Sequence, residues 1–267
     1  MNSKDNAAIF HALHHQSEPL RLPNAWDAGS ALLIERLGAD AIATTSAGVA
    51  WSLGYRDGDA LPLDRHLASV AAIARVISVP LSVDIEAGYT DDEAEIARTT
   101  ARFIEAGAVG INIQDGAGTP DLLCRKIEQA RETAERLGIR LYINARTDVY
   151  ARALAAASDR VKEVLARARQ YRDAGADGLF VLGVTDRTEI REIAKGTELL
   201  LNVIAWPGLP AAAELSALGV SRISVGSWIP QTLWRQTSTL VTNFLADGRS
   251  EALFEHAAPY PEINAYF

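Results

Sequence analysis

The stretch Ala106-Gly107-Ala108-Val109-Gly110-Ile111-Asn112-Ile113-Gln114-Asp115 decides the fold. It reads as the end of a helix, a glycine suited to the left-handed conformation that closes it, and a short β-rich run. The same unit recurs at Leu37-Gly38-Ala39-Asp40-Ala41-Ile42-Ala43, Leu137-Gly138-Ile139-Arg140-Leu141-Tyr142-Ile143, Ala174-Gly175-Ala176-Asp177-Gly178-Leu179-Phe180 and Leu218-Gly219-Val220-Ser221-Arg222-Ile223-Ser224. A further strand enters through Pro80. With residues 20–26 and 198–203 added, eight strands are predicted at 20–26, 40–45, 81–86, 110–114, 141–145, 178–182, 198–203 and 221–225, each followed by a helical pattern. Strict alternation of β and α at a period of about 30 to 40 residues predicts a (β/α)8 TIM barrel, an α/β fold. No Gly-x-Gly-x-x-Gly fingerprint follows the first strand, which removes the main argument for a doubly wound sheet.

The composition agrees with one folded domain over residues 1–267. No Pro/Gly/Ser-rich linker divides the chain, and 48% hydrophobic with 22% charged residues is ordinary for a globular protein. A net charge of -8, with no basic cluster, argues against nucleic acid as a partner and leaves small molecules. One cysteine, Cys124, excludes an intrachain disulfide and any Cys-rich metal site. The start of the chain has no apolar leader core and no 18-residue apolar run occurs, so no membrane partner and a cytoplasmic location are expected. His11, His14 and His15 read as a solvated helix face near a terminus, and Trp26 as a pocket floor or a core aromatic. The last helical pattern, 227–245, carries Trp228, Leu233, Trp234, Leu240, Val241 and Phe244. That surface suits either a partner subunit or the core of its own chain.

The chemistry concentrates at predicted strand ends, where a barrel of this type builds its site. Pro80-Leu81-Ser82-Val83-Asp84-Ile85-Glu86 is an apolar run that ends in two acids just before Gly88. On an extended strand Asp84 and Glu86 share one face and Val83 and Ile85 the other. Neighbouring acids repel unless a cation lies between them, so the pair reads as a site for a hard, oxygen-preferring ion such as Mg²⁺. A turn acid beside a capping acid is the plainer alternative, although Asp91 and Asp92 already supply a cap. Thr44-Thr45-Ser46-Ala47-Gly48 follows the second strand with hydroxyls and small residues whose N–H groups suit a carboxylate or phosphate. Asp57 and Asp59 come next, with turn formation open to both. Further strands end in Gln114-Asp115, in Asn144-Ala145-Arg146-Thr147-Asp148 and in Asn202. Arg146, a cation opposite two acids, suits a substrate that chelates a metal and develops negative charge. Its alternative is an ion pair with Asp148.

These segments resemble the phosphoenolpyruvate mutase/isocitrate lyase superfamily, in order along nearly the whole chain: Thr45-Ser46-Ala47-Gly48-Val49-Ala50, Leu53-Gly54-Tyr55-Arg56-Asp57, Val83-Asp84-Ile85-Glu86-Ala87-Gly88-Tyr89, Ile111-Asn112-Ile113-Gln114-Asp115 and Asn144-Ala145-Arg146-Thr147-Asp148. The resemblance implies a (β/α)8 barrel with a Mg²⁺ or Mn²⁺ site that holds a 2-oxo or 2-hydroxy carboxylate and stabilises an enolate-like intermediate. It implies Asp84 as a direct metal ligand and Glu86 as a direct or water-mediated one, where the family usually has aspartate. Arg146 would offset charge on the substrate oxygens and Asp57 would be a mobile catalytic acid. Thr45, Ser46 and Ala47 would cradle a substrate carboxylate and Arg146 would contact the substrate; Asn202, polar at a strand end, is a further substrate-binding candidate. A homo-oligomer, dimer or tetramer, with the last helix exchanged between subunits, is also implied.

Three departures bear on the activity. Gln114 replaces the usual glutamate, the lyases' Lys-Arg-Cys-Gly-His segment is absent from the short run Gly116-Ala117-Gly118-Thr119-Pro120, and Leu182 stands where a histidine or glutamate is usual. Cys124 lies inside a helical pattern and is not assigned the role of the lyases' cysteine. The leading expectation is a metal-dependent lyase that cleaves or decarboxylates a C–C bond of a small 2-oxo or 2-hydroxy acid. Alternatives are a C–P bond mutase or hydrolase for a phosphonopyruvate-like substrate, and a catalytically silent 2-oxo acid binding protein.

Overall fold

The computed structural model describes residues 3–267. It contains two compact units, one ending at Gly226 and one spanning Ser227–Phe267.

In the first unit the described residues form nine strands in one parallel sheet: β1 (Leu20–Leu22), β2 (Asn24–Ala25), β3 (Ile42–Thr44), β4 (Leu81–Asp84), β5 (Gly110–Gln114), β6 (Tyr142–Thr147), β7 (Gly178–Val181), β8 (Leu200–Ile204) and β9 (Val220–Ser224). The hydrogen-bonded order runs β1-β9-β8-β7-β6-β5-β4-β3-β2. β1 and β2 are halves of the first predicted strand, separated at Pro23, whose ring nitrogen has no N–H to give a ladder. The first half pairs with β9 and the second with β3, so the sheet closes on itself as the expected barrel. Asn24 fastens this seam: its Nδ2 donates to the Thr44 carbonyl at 2.8 Å, and its Oδ1 accepts from the N–H groups of Val225 and Gly226.

Helices alternate with the strands because each has an apolar face and a defined start. Asp27 caps Ala28–Arg36 in a capping box with Ser30, Asp92 caps Glu93–Glu105, and Thr119 caps Pro120–Arg136. At Gly107 (φ 114°) and Gly219 (φ 95°) the chain leaves a helix for a strand through the left-handed region that glycine tolerates.

Alternation along the strands separates two environments. Val83, Ile85, Ile111, Ile113, Ile143, Leu179, Val181, Leu201 and Val203 belong to the main apolar core with residues of the surrounding helices. Ser82, Asn112, Asn144, Asn202 and Arg222, of the opposite parity, are also buried, but they are polar. Asn144 Nδ2 donates to the Oδ1 atoms of Asn112 and Asn202, both at 2.9 Å, and Arg222 Nη2 donates to Asn112 Oδ1 at 3.2 Å. The barrel interior is therefore a polar network spanning four strands. A second apolar cluster joins Ala7, Phe10 and Leu13 of the first helix (Ser3–Leu13) to Leu20, Leu22, Ala41, Ala43 and Tyr142.

That helix corrects one expectation. His11 and His14 are buried; His14 stacks on Tyr142 with ring centroids 4.0 Å apart, and burial lowers it to about 3. Only His15 of the three keeps the exposed position expected for all. Trp26 is half-buried and packs against the cluster of Val49, Ala50 and Leu61.

The second unit holds the helices Trp228–Asp247, Glu251–Phe254 and Tyr260–Asn264. Of the long helix only Pro230 is buried, while Leu233, Trp234, Val241, Phe244 and Leu245 are exposed. Among the described residues no helix is long and apolar enough to cross a membrane.

Candidate active site

The C-terminal strand ends bring four acids together. Asp84 is the last residue of β4, and its strand does not extend to Glu86 as the alternation argument assumed. Glu86 instead lies in a turn with φ 53°, a left-handed conformation uncommon for a residue with a Cβ. The turn buries the Glu86 side chain and directs it to the N–H of Asp59, itself at φ 57°. Its backbone still continues the sheet contacts, since the Glu86 carbonyl accepts from the Gln114 N–H at 2.9 Å.

The electrostatics show a cluster short of positive charge. Burial, opposed by the hydrogen bond from the Asp59 N–H and aided by the charges of Asp84, Asp59 and Asp57, pushes the Glu86 carboxyl up to about 7. Burial also raises Asp57, with Asp84 adding to it and a hydrogen bond from Ser46 and the charge of Arg146 opposing it. Asp59 is raised by burial as well, against the opposing charge of Lys126. Tyr89, at φ 67° three residues beyond Glu86, places its hydroxyl 2.7 Å from Nδ1 of the buried His66. Burial holds that imidazole down to about 4 and hence neutral.

Thr45, Ser46 and Ala47 stand at the start of a short helix, Ser46–Ser52, with Thr45 as its N-terminal flanking residue. The Ser46 hydroxyl donates to Asp84 Oδ2 at 2.9 Å and its N–H points to the same oxygen at 3.4 Å. Thr45 is buried, and the Ala47 N–H belongs to the first turn, where helix geometry provides no internal acceptor. Asn202 is not brought to this cluster: its amide bonds are made inside the barrel, to Asn144, Ser224 and the Val203 carbonyl.

Arg146 makes the ion pair with Asp148 and also serves the cluster. Its Nε and Nη2 donate to the two Asp148 oxygens at 2.7 and 3.2 Å, while its charge lowers Asp57 and its guanidinium lies over the Phe180 ring at 5.9 Å. Asp148 is held in turn by Arg152. Asp115 is structural: it accepts from Arg167, Tyr171 and the Asp148 N–H and is completely covered.

Sequence reasoning missed Lys126 and Arg152. Lys126 Nζ donates to the Ala87 carbonyl at 2.8 Å and to Asp91 at 2.6 Å, clamping the turn that carries Glu86. Asp91 is thus a partner of Lys126 and leaves the helix cap to Asp92. No sequence spacing links Lys126 to that turn; Arg152 carried a weak signal, four residues beyond Asp148.

Among the described residues no set of three or more His, Cys, Asp or Glu side chains forms a ready-made metal cage. Mg²⁺ is commonly held by one or two carboxylates and completes its shell with water and substrate oxygens, so a cage is not required. Asp84 and Glu86, mutually repelling and partly desolvated, fit such an ion.

The sequence profile of phosphoenolpyruvate phosphomutase matches residues 10–245. An uncharacterized protein of Mycobacterium tuberculosis H37Rv is 36% identical over 260 residues, 96% of this chain and 95% of its own. The 2-methylisocitrate lyase of Escherichia coli K12 is 32% identical over 211 residues, covering 75% of this chain and 71% of the lyase. A solved Burkholderia cenocepacia J2315 structure assigned as a lyase or mutase superposes with a TM-score of 0.91 at 33% identity, over 99% of this chain and 96% of that one. The chain belongs to the phosphoenolpyruvate mutase/isocitrate lyase superfamily and is an enzyme of that group.

Proposed function

We propose that the protein is a Mg²⁺- or Mn²⁺-dependent lyase that cleaves or decarboxylates a C–C bond of a small 2-oxo or 2-hydroxy carboxylic acid through an enolate-like intermediate. The observation that carries this reading is the meeting of Asp57, Asp84 and Glu86 with Arg146 at the C-terminal strand ends. Asp84 and Glu86 would hold the metal. A bound divalent ion would supply Lewis-acid polarisation of the substrate oxygens. Ser46 keeps the Asp84 carboxylate oriented, and the first-turn N–H of Ala47 is available to the substrate carboxylate. Arg146, fixed in direction by Asp148, offsets the negative charge that grows on the substrate oxygens as the bond breaks. Asp57, whose raised carboxyl retains a proton more readily than an ordinary aspartate, or a bound water handles the proton.

The relatives support carbon–carbon chemistry, since they include a 2-methylisocitrate lyase and an oxaloacetate decarboxylase. A C–P mutase reading is weaker, because residues 116–123 hold neither the lysine nor the asparagine that the resemblance leads one to expect on that loop of such enzymes. The exposed apolar helix of the second unit supports a homo-oligomer.

Thermal stabilisation by a panel of 2-oxo and 2-hydroxy acids, with and without Mg²⁺, tests the function when each hit is followed by mass-spectrometric product analysis. A hit consumed only with metal is the expected result. Hits that bind with metal and persist unchanged would replace the lyase with a 2-oxo acid binding protein.

A further inference from the structure

Beside the acid cluster lies a cavity of about 350 Å³ whose lining includes Gly58, Asp59, Gln114, Lys126 and Arg152. Two of these residues connect to the site, Asp59 directly and Arg152 through Asp148. The Asp59 N–H bonds Glu86, and Arg152 shares Asp148 with Arg146. Most other charges in the wall are already matched: Lys126 is paired with Asp91, and Asp115 with Arg167.

Arg152 differs. Its Nε donates to Asp148 Oδ2 at 3.0 Å, and among the described residues its terminal nitrogens have no hydrogen-bond partner. Asp148, whose side chain is only 2% exposed, is thus shared by two guanidinium groups, so the three residues together carry a net positive charge. Gln114, the register neighbour of Arg146, contributes a neutral amide to the same wall. Charge is therefore divided, with clustered carboxylates on one side and, on the other, a guanidinium that shares its single carboxylate partner with Arg146.

We propose that this cavity is a subsite for a carboxylate at the far end of the substrate, and that Arg152 receives it. The inference rests on the 2-oxo or 2-hydroxy acid reading above. A planar guanidinium with free terminal N–H groups matches carboxylate geometry and is always charged. Removing the charge of Arg152 leaves Asp148 paired with Arg146, which keeps the supporting ion pair intact.

Isothermal titration in Mg²⁺ with L-malate and L-2-hydroxybutyrate, equal in chain length and differing in the distal carboxylate, tests the subsite. In Arg152→Gln, malate is expected to bind more weakly by about 10- to 100-fold, the range a charge-assisted hydrogen bond supplies, with hydroxybutyrate unchanged. Arg152→Lys should recover part of the malate affinity. Parallel weakening of both acids would assign Arg152 a structural role, and unaltered malate binding would leave it none; either result overturns the subsite. Wild-type binding of hydroxybutyrate without malate removes the subsite and leaves the underlying reading in place. Failure of both acids to bind with metal would overturn the two together.

Discussion

Asp84 accepts hydrogen bonds from Ser46 and from the Glu86 N–H, yet a carboxylate has about four lone-pair directions and retains capacity for a cation. Asp84→Ala is expected to abolish Mg²⁺-dependent ligand stabilisation, while the melting temperature without metal stays close to wild type because a mutually repelling charge is removed. Retained metal-dependent shifts in that variant would disprove the assignment. A second residue-scale prediction concerns His66, whose imidazole is held near 4 by burial. The unfolded histidine takes up a proton below about 6.5, the folded one only near 4, so its contribution is complete above about pH 6.5 and is lost as the pH falls toward 4. In urea titrations across that window, His66→Gln should show a pH slope of stability smaller by about 1.4 kcal/mol per unit. An equal slope in both proteins would show that the ring is protonated when folded. Among the candidate residues, Asp84 and Arg146 were legible because polar groups at apolar strand ends stand out against their neighbours, whereas Asp57, in a loop, was marked only by the family resemblance. Lys126 was not legible, because a lysine in a helix reads as solvated until the turn it clamps is seen beside it.

At the scale of elements, the left-handed turn at Glu86 separates what alternation can predict from what it cannot. Two-residue periodicity located Asp84, but the strand stops there, and Glu86 reaches the other acids through its turn. In β5, Ile111 and Ile113 join the apolar core while Asn112 between them enters the buried polar network inside the barrel, which no local pattern revealed. Gly110 marks where that interior meets the first helix. A Cβ built there would come 2.6 Å from the Phe10 ring and 3.2 Å from Ser82 Oγ. Gly110→Ala should therefore displace Phe10 and cost about 1–3 kcal/mol, the usual range for overpacking, read as a lower urea midpoint at unchanged slope. Undiminished stability would mean that Phe10 is not firmly seated against β5.

For the molecule as a whole, the proposed homo-oligomer would cover the exposed Leu233, Trp234, Phe244 and Leu245, and light scattering is expected to give at least twice the 28.7 kDa of one chain. Trp234→Glu together with Phe244→Glu should shift the protein toward monomer; a wild-type monomer would refute the homo-oligomer. The sequence by itself determined the barrel, because helix-closing glycines and apolar strands recur at a spacing that neighbouring elements alone can satisfy. It also placed Asp84 and Arg146 at strand ends, since a local pattern suffices for that. Only the tertiary structure decided that Pro23 splits the seam strand, that His11 and His14 are buried, that Asn202 turns into the interior network, and that Arg152 joins Arg146 on one carboxylate. Each depends on contacts between segments far apart in the chain or on which face of an element is covered, and local periodicity does not contain that information.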